Sequence, residues 1–218
     1  MLLMERYQQA VDELLAKVRA TQTENIIKAG TLIADSVSSG GKIILSGICH
    51  SIENDLIYRG GGPIFYKHYK EEDHKDTLKA GDVLIVSSVS GRTKSVVDLT
   101  YEMVQRGVNV IAFTSMEYAV QVDPVHESGK KLYEMATLTL DNCAPAAEAM
   151  LEVEGIEARF AAASGIASDY IMWNITSVVV EKLLEKGITP GILKSANYPG
   201  GSDYNKSVVE ANFEKYGW

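Results

Sequence analysis

Short apolar runs alternate with amphipathic stretches along most of this chain. The clearest run, residues 83–87, is almost continuously apolar, which is typical of a strand that is buried on both faces. Runs of this kind predict strands at 42–48, 64–66, 83–87, 108–114 and 136–140. Amphipathic stretches predict helices at 52–59, 93–106, 117–122 and 164–186. Strands that alternate with helices predict an α/β fold, in which helices cover both faces of a parallel sheet.

The pattern predicts further helices at both ends of the chain. Residues 4–39 have apolar positions at helical spacing, and one bent helix or two helices fit them equally well. Turn-forming residues fill 195–205, and a last short helix is predicted at 207–216, while residues 145–164 fit either an extended or a helical conformation. We therefore expect a single domain over 1–218, made of a helical N-terminal extension (1–39), an α/β core (40–190) and a C-terminal tail (191–218).

A cluster of hydroxyl side chains follows the apolar run at 83–87. Ser88, Ser90 and Thr93 surround Gly91, and an amphipathic helix begins directly after them. The start of a helix has unpaired N–H groups and a partial positive charge, and hydroxyls can donate hydrogen bonds to phosphate oxygens. Gly91 permits a close approach of the backbone. Ser and Thr are also common helix caps, but the whole cluster favours a phosphate-binding loop.

A loop of the same kind follows the predicted strand at 42–48, and we call it the first loop because it precedes residues 88–93, the second loop, in the chain. It contains Gly47 and Ser51, and a predicted helix begins after it. Ligands in doubly wound α/β folds bind at the carboxyl ends of the strands, near the point where the strand order reverses. Two hydroxyl loops at such ends therefore predict one composite site for an anion.

Composition and charge exclude several classes of function. The net charge is −8, the pI is about 5.1 and there is no basic stripe, so nucleic acid is not an expected partner. No apolar run reaches the length of a membrane span, and the first residues do not resemble a signal peptide. With two cysteines and no C-x-x-C pair, we expect neither a disulfide framework nor zinc, and a reducing cytoplasm is the expected compartment.

The sequence also lacks the motifs of the common cofactors. Its four histidines do not have metal-ligand spacing, and no glycine pattern typical of nicotinamide or nucleoside triphosphate binding occurs. We therefore expect no metal and no cofactor. An acidic chain with a local anion site is instead suited to a small phosphorylated metabolite.

Residues 88–93, Ser-Val-Ser-Gly-Arg-Thr, resemble the S-x-S-G-x-T signature of sugar isomerase (SIS) domains. The context fits as well, because a helical segment and a strand that ends in Gly47-x-x-x-Ser51 precede the signature, and another strand follows it. Further stretches are similar to a subgroup of small, stand-alone SIS proteins, namely 114–118, 126–130, 141–143, 195–197 and 200–201.

The resemblance implies a three-layer, flavodoxin-like α/β/α fold with a five-stranded parallel sheet. It implies a sugar phosphate as ligand, and many members are aldose–ketose isomerases, while others are sensors or lyases. It also implies a homodimer or a larger homo-oligomer with the sugar site near the subunit interface. The residues that it assigns to the phosphate are Ser51, Ser88, Ser90 and Thr93. Gly47, Gly91 and Arg92 complete the expected binding set, although Arg92 also fits a plain salt bridge.

One residue departs from the family pattern. The first loop usually reads G-x-G-x-S, and Cys49 stands where the second glycine is expected. A cysteine near a helix start can have a lowered pKa and act as a nucleophile. A small buried loop residue is the interpretation that we favour.

An aldose–ketose isomerase needs a base that moves a proton between adjacent carbons. The candidates are His50 in the first loop, Glu53 on the next predicted helix, and His126 beyond another strand end. A non-catalytic protein that binds or senses a phosphosugar would share the phosphate loop and lack the base. A lyase that acts on an amino-sugar phosphate would need a suitably placed glutamate, for which Glu152 and Glu154 are candidates.

Overall fold

Five parallel strands form the sheet at the centre of the protein, in the order β2-β1-β3-β4-β5. The computed structural model describes residues 1–47, 50 and 52–218. The strands are β1 (Ile43–Ser46), β2 (Tyr66–His68), β3 (Val83–Ser87), β4 (Asn109–Thr114) and β5 (Leu138–Asp141). The predicted α/β fold with a five-stranded parallel sheet is confirmed.

Helices cover both faces of this sheet. They are α1 (Leu3–Ser38), α2 (Glu71–His74), α3 (Lys94–Gln105), α4 (Met116–Ala119), α5 (Leu132–Met135), α6 (Ser164–Glu185) and α7 (Gly201–Tyr216). Val83 and Ile85 of β3 pack into one hydrophobic core with α1 and α6, whereas Leu84 and Val86 pack into a second core with α3 and α5. Alternate residues of one strand therefore face opposite layers, and every residue of β3 is buried.

The strand order reverses between β1 and β3. From β1 the chain passes to β2 at the edge of the sheet, and it then returns to pair β3 with the other side of β1. The register places Leu45 beside Ile85 and Ser46 beside Val86, so the two strands end at the same level. The loops that follow β1 and β3 consequently open side by side, where this topology places its ligands.

The N-terminal segment forms one continuous helix of 36 residues, so the alternative of two helices is wrong. This helix packs along α6, and Gly30 lies at a close contact between the two helices. A Cβ atom at Gly30 would be 2.6 Å from Cβ and Cγ1 of Val178. The absence of a side chain at Gly30 thus allows α1 to join the core layer.

Two predicted segments between β1 and β3 differ from the structure. The helix predicted at 52–59 is only a short 3-10 helix, Ile52–Asp55, because Leu56 and Ile57 turn into the core and Tyr58 has a φ of 56°. The strand predicted at 64–66 begins at its last residue and forms β2, Tyr66–His68. Its pairing with β1 matches Ile43 with Tyr66, so the sheet register selects the later residues.

The last helix begins at Gly201 and not near residue 207 as predicted. Gly200 has a φ of 74°, which lets the chain turn into the helix. The side chain of Asn205 then bonds both the N–H and the carbonyl of Lys194 at 2.8 Å. Residues that are typical of turns therefore form the first turns of α7, because contacts distant in sequence hold them there.

Candidate functional site

The loops after β1 and β3 open onto a pocket of about 350 Å3 at the carboxyl edge of the sheet. Five of the residues predicted for binding or catalysis line it, namely Gly47, His50, Ser88, Ser90 and Thr93. The rest of its described lining is Ser87, Val89, Tyr118 and Glu148. The structure therefore brings residues from both predicted loops to one pocket.

Gly91 allows the second loop to fold back tightly. It has a φ of +67°, its N–H donates to the Ser88 carbonyl at 2.8 Å, and its carbonyl accepts from the Leu132 N–H at 2.8 Å. A Cβ atom here would lie 3.2 Å from both Ala119 Cβ and Thr114 Oγ1. A glycine is required at this position by the left-handed backbone and by the close contact with neighbouring loops.

The three hydroxyl side chains of this loop have different surroundings. The buried Ser88 Oγ lies 2.9 Å from Thr93 Oγ1 and accepts from the Thr93 N–H at 3.2 Å, so it joins the two ends of the loop. Thr93 precedes α3, and its side chain makes no capping bond to that helix. The Ser90 hydroxyl has no hydrogen-bond partner within the described part of the chain. Ser90 and Thr93 are thus the hydroxyls best placed to meet a ligand.

The positive potential at this pocket comes from the backbone. Thr93 is the last residue before the 12-residue helix α3, whose first N–H groups have no partner within the helix. No lysine or arginine lines the pocket among the residues that the structure describes. An anion bound here would be held by hydroxyls and N–H groups, as at other helix starts.

The first loop is described only in part. Gly47 has a φ of +46° and His50 has a φ of 64°, and His50 is exposed at the mouth of the pocket. The expected phosphate contact of Ser51 falls outside the described residues, as does the role of Cys49. Both therefore stay predictions.

Glu148 is a pocket residue that the sequence patterns do not single out. Its Oε1 accepts hydrogen bonds from the Ser164 N–H, at 3.1 Å, and from the Ser164 hydroxyl. Ser164 is the first residue of the 22-residue helix α6, so these two hydrogen bonds hold the Glu148 carboxylate at the start of that helix. These contacts fix the carboxylate beside the pocket.

An unusual backbone brings Glu148 to this position. Ala147 and Glu148 have φ values of 61° and 83°, a region that residues with side chains rarely adopt and that is enriched at functional sites. Directly afterwards the chain forms an antiparallel hairpin of β6 (Ala149–Leu151) and β7 (Phe160–Ala162), which resolves the ambiguous segment at 145–164. The sequence signal that could have found Glu148 is its place shortly after the fifth strand.

The other acidic and basic candidates lie outside the described lining of this pocket. Glu53 is buried, with 7% of its surface exposed. Arg92 is half-buried and makes no ion pair with any described residue. Glu152 and Glu154 are exposed beside the hairpin, where the Glu152 carbonyl accepts from Arg6 and its carboxylate faces Arg159. The roles predicted for these four residues at the pocket therefore stay predictions.

His126 packs against the side of α3. Its Nδ1 accepts from the Ser128 N–H at 3.1 Å and lies 2.7 Å from the Ser128 hydroxyl, while its Nε2 is 3.6 Å from Asp98 Oδ1. The ring of Tyr101 is 5.3 Å away. Asp98 is five residues beyond Thr93, about 7.5 Å along the helix axis. The predicted role of His126 in proton transfer therefore lacks a supporting contact at the pocket.

Across the described ranges, no group of three or more His, Cys, Asp and Glu side chains is arranged to hold a metal ion. None of the described helices is both long enough and apolar enough to cross a membrane.

Comparisons with known proteins give the following similarities. A family model described as a SIS domain matches residues 6–71 and 65–115. A UPF0309 protein of Oceanobacillus iheyensis is 31% identical over an alignment of 240 positions, which covers 98% of this chain and 96% of that protein. The similarity to this relative thus extends over almost the whole of both chains.

Two solved structures show the same fold at low sequence identity. The phosphoheptose isomerase GmhA from Neisseria gonorrhoeae has a TM-score of 0.57 at 14% identity, covering 83% of this chain and 98% of that one. The Vibrio vulnificus NanR protein complexed with ManNAc-6P has a TM-score of 0.54 at 16% identity, covering 98% of this chain and 70% of that one. The three-layer fold is therefore common to all three chains.

Proposed function

Because this chain belongs to the SIS-domain family, we propose that it binds a sugar phosphate in the pocket between the β1 and β3 loops. The observation that carries the proposal is the position of the Ser90 and Thr93 hydroxyls at the start of α3. Hydroxyl and N–H donors together can satisfy the oxygens of a phosphate dianion without a lysine or arginine. The phosphate is bound by residues 88–93 and by the first turn of α3.

The remainder of the pocket suits the sugar. Tyr118, Glu148 and His50 provide a phenol, a carboxylate and an imidazole beyond the phosphate loop. Such groups can donate to and accept from sugar hydroxyls. Two proteins of the same fold support this choice of ligand. NanR is complexed with the sugar phosphate ManNAc-6P, and the phosphoheptose isomerase is named for a phosphorylated sugar.

The reaction that the pocket supports best is aldose–ketose isomerisation, with Glu148 as the base. In the open-chain sugar the Glu148 carboxylate removes the proton from C2 and returns it to C1. In the same reaction the O2 hydroxyl loses a proton and the O1 carbonyl oxygen gains one. The imidazole of His50 can accept the first proton and donate the second. Glu148 is suited to this role because Ser164 holds its carboxylate in one position.

A phosphosugar sensor without catalysis is the second candidate. NanR, complexed with a sugar phosphate, matches over 98% of this chain. The exposed His50 at the pocket mouth also leaves the sugar open to solvent, which favours binding more than chemistry. The two candidates share the phosphate loop. They differ in whether Glu148 reaches C1 and C2 of the sugar and His50 reaches O1 and O2.

A thermal-shift screen with phosphorylated hexoses, heptoses and amino sugars tests the binding proposal. At a ligand concentration of about 100 Kd, the best sugar phosphate should stabilise the fold by about 2.7 kcal/mol, which raises the Tm by about 5–10 °C. The same sugar without its phosphate should leave the Tm unchanged. The proposal fails if no sugar phosphate raises the Tm, or if the free sugar raises it equally. A coupled isomerase assay on the best ligand then separates the two candidate functions.

We further propose that the protein is a homodimer, as the resemblance implies, and that it acts in the cytoplasm, as its cysteine content predicts. Leu3, Met4 and Tyr7 of α1 and Phe160 of β7 form an exposed apolar surface, and such surfaces mark subunit contacts. Sedimentation velocity should give a mass near twice the 23.8 kDa of one chain, and Phe160→Glu should shift it towards the monomer. A wild-type protein that is monomeric at micromolar concentration would contradict the proposed dimer. Recovery of the native protein in a membrane fraction would contradict the proposed cytoplasmic location.

A further inference from the structure

A second cavity, separate from the phosphate pocket, lies between the edge strand β2 and helix α7. Its volume is about 310 Å3, near the lower limit of the about 300–1,000 Å3 that is typical of small-molecule sites. Tyr66 and Lys67 of β2 line one side, and Val209 and Phe213 of α7 line the other. Trp218 belongs to the lining as well. The cavity and the phosphate pocket have no lining residue in common.

Aromatic rings make the wall of this cavity rigid. Trp218 stacks on Tyr216, with ring centres 5.1 Å apart and an angle of 11°, and the ring of Phe65 meets Trp218 edge-on at 6.0 Å. The buried Tyr66 hydroxyl is bound to Thr176 Oγ1 at 3.0 Å, so Tyr66 offers the cavity its ring and not its hydroxyl. A planar apolar group would contact these preformed surfaces at little conformational cost.

Two side chains of the cavity lining, Lys67 and Trp218, have hydrogen-bond donors without an acceptor in the described part of the protein. Lys67 is half-buried, and among the residues that the structure describes it has no carboxylate partner. Burial lowers the pKa of the Lys67 ammonium group, since its positive charge is desolvated and not compensated. The indole Nε1 of Trp218 is buried and has no acceptor in the described part of the protein. A ligand that supplies an acceptor with one negative charge would complement Lys67, and the adjacent walls require the rest of it to be apolar.

We propose that this cavity binds a small aromatic monocarboxylate, with the carboxylate on Lys67 and the ring between the aromatic and aliphatic walls. A phosphate dianion fits less well because Lys67 is the one cationic side chain in the described lining. The cavity is therefore a second ligand site, and it is independent of the sugar phosphate site in both residues and chemistry.

Calorimetric titration of the full chain with phenylacetate, 3-phenylpropanoate and 4-phenylbutanoate tests this proposal. At least one acid should bind with a Kd below about 1 mM, and the corresponding alcohol should bind at least about tenfold more weakly. Lys67→Met should remove that difference, since it keeps the aliphatic stem and loses the charge. Lys206→Met, at an exposed position of α7 outside the cavity, should leave the affinity unchanged.

A variant that fills the cavity provides a second test of the proposal, and this test does not depend on the charge of Lys67. Val209 is 44% exposed, so Val209→Trp should fold normally, as circular dichroism can verify, and should abolish acid binding. The proposal is overturned if no acid binds, if the alcohols bind as tightly as the acids, or if Lys67→Met or folded Val209→Trp binds normally. It is also overturned in favour of a subunit contact if Val209→Trp converts an oligomer to a monomer. Sugar phosphate binding should be unchanged in both variants. A failure of the carboxylate proposal can therefore be distinguished from a failure of the proposed function.

Discussion

Replacing Ser90 with Ala and Thr93 with Val in one variant is expected to weaken sugar phosphate binding by at least ~100-fold. Each hydroxyl would donate to a charged oxygen, and such hydrogen bonds contribute about 1.5–3 kcal/mol each, so two of them amount to two or more factors of ten in Kd. The measurement is a calorimetric titration with the best ligand of the thermal-shift screen. The free energy of unfolding should change by no more than about 1 kcal/mol, because the variant loses one internal bond, from Thr93 to Ser88.

Ser95→Ala is the matched control for this variant. Ser95 is an exposed serine in the first turn of the same helix, and it lies outside the phosphate pocket. Its replacement should leave the Kd unchanged, which separates the loss of particular hydroxyls from a general effect on α3. If the Ser90 and Thr93 variant binds the sugar phosphate as well as the wild type does, residues 88–93 are not the phosphate site.

Glu148→Gln is expected to lower the turnover of the isomerase by ~10²–10⁴-fold, the usual contribution of a general base. The glutamine oxygen can still accept from the Ser164 N–H and hydroxyl, so the side chain should keep its place while it loses its basicity. The Kd for the sugar phosphate should change by less than about threefold, since the phosphate contacts are untouched. Steady-state kinetics and titration on the same protein sample measure both quantities.

Glu152→Gln controls for the removal of a nearby negative charge. Glu152 lies four residues further along the chain, is exposed, and does not line the pocket. Its turnover should equal that of the wild type. Normal turnover in Glu148→Gln would exclude Glu148 as the base. A wild-type protein that binds sugar phosphates but turns none of them over would instead favour the sensor.

The sheet could be predicted from the sequence because its signals are local. The apolar run at 83–87 has no polar residue before its last position, and the structure places alternate members of it in the two cores. The position of the hydroxyl cluster that follows could be predicted from topology alone. Parallel strands have their carboxyl ends at one edge of the sheet, and ligands bind at that edge. Five predicted site residues line the pocket for this reason.

Element boundaries were less predictable where distant contacts decide them. The first turn of α7 contains turn-forming residues, and the bonds from Asn205 to the Lys194 backbone make it helical. Similarly, the segment after residue 55 loses its helical pattern because Leu56 and Ile57 are needed in the core. Local propensity was overridden by tertiary packing in both places.

Glu148 is a catalytic candidate that could not be identified from the sequence. Its position depends on left-handed conformations at Ala147 and Glu148. Glycine is the residue that usually indicates such a conformation in a sequence, and neither position is a glycine. The position of Glu148 also depends on Ser164, which is 16 residues further along the chain. His126 is the converse case, since its position after a strand suggested chemistry, and Ser128 and Asp98 provide it with structural partners.

A crystal structure of this protein with its best-binding sugar phosphate tests the central claim most directly. The phosphate oxygens should lie within about 3.2 Å of Ser90 Oγ and Thr93 Oγ1. The sugar should extend from there towards Glu148, with C1 and C2 nearest the carboxylate. A phosphate bound elsewhere, or a ligand that reaches residues 88–93 only through its sugar hydroxyls, would contradict the account.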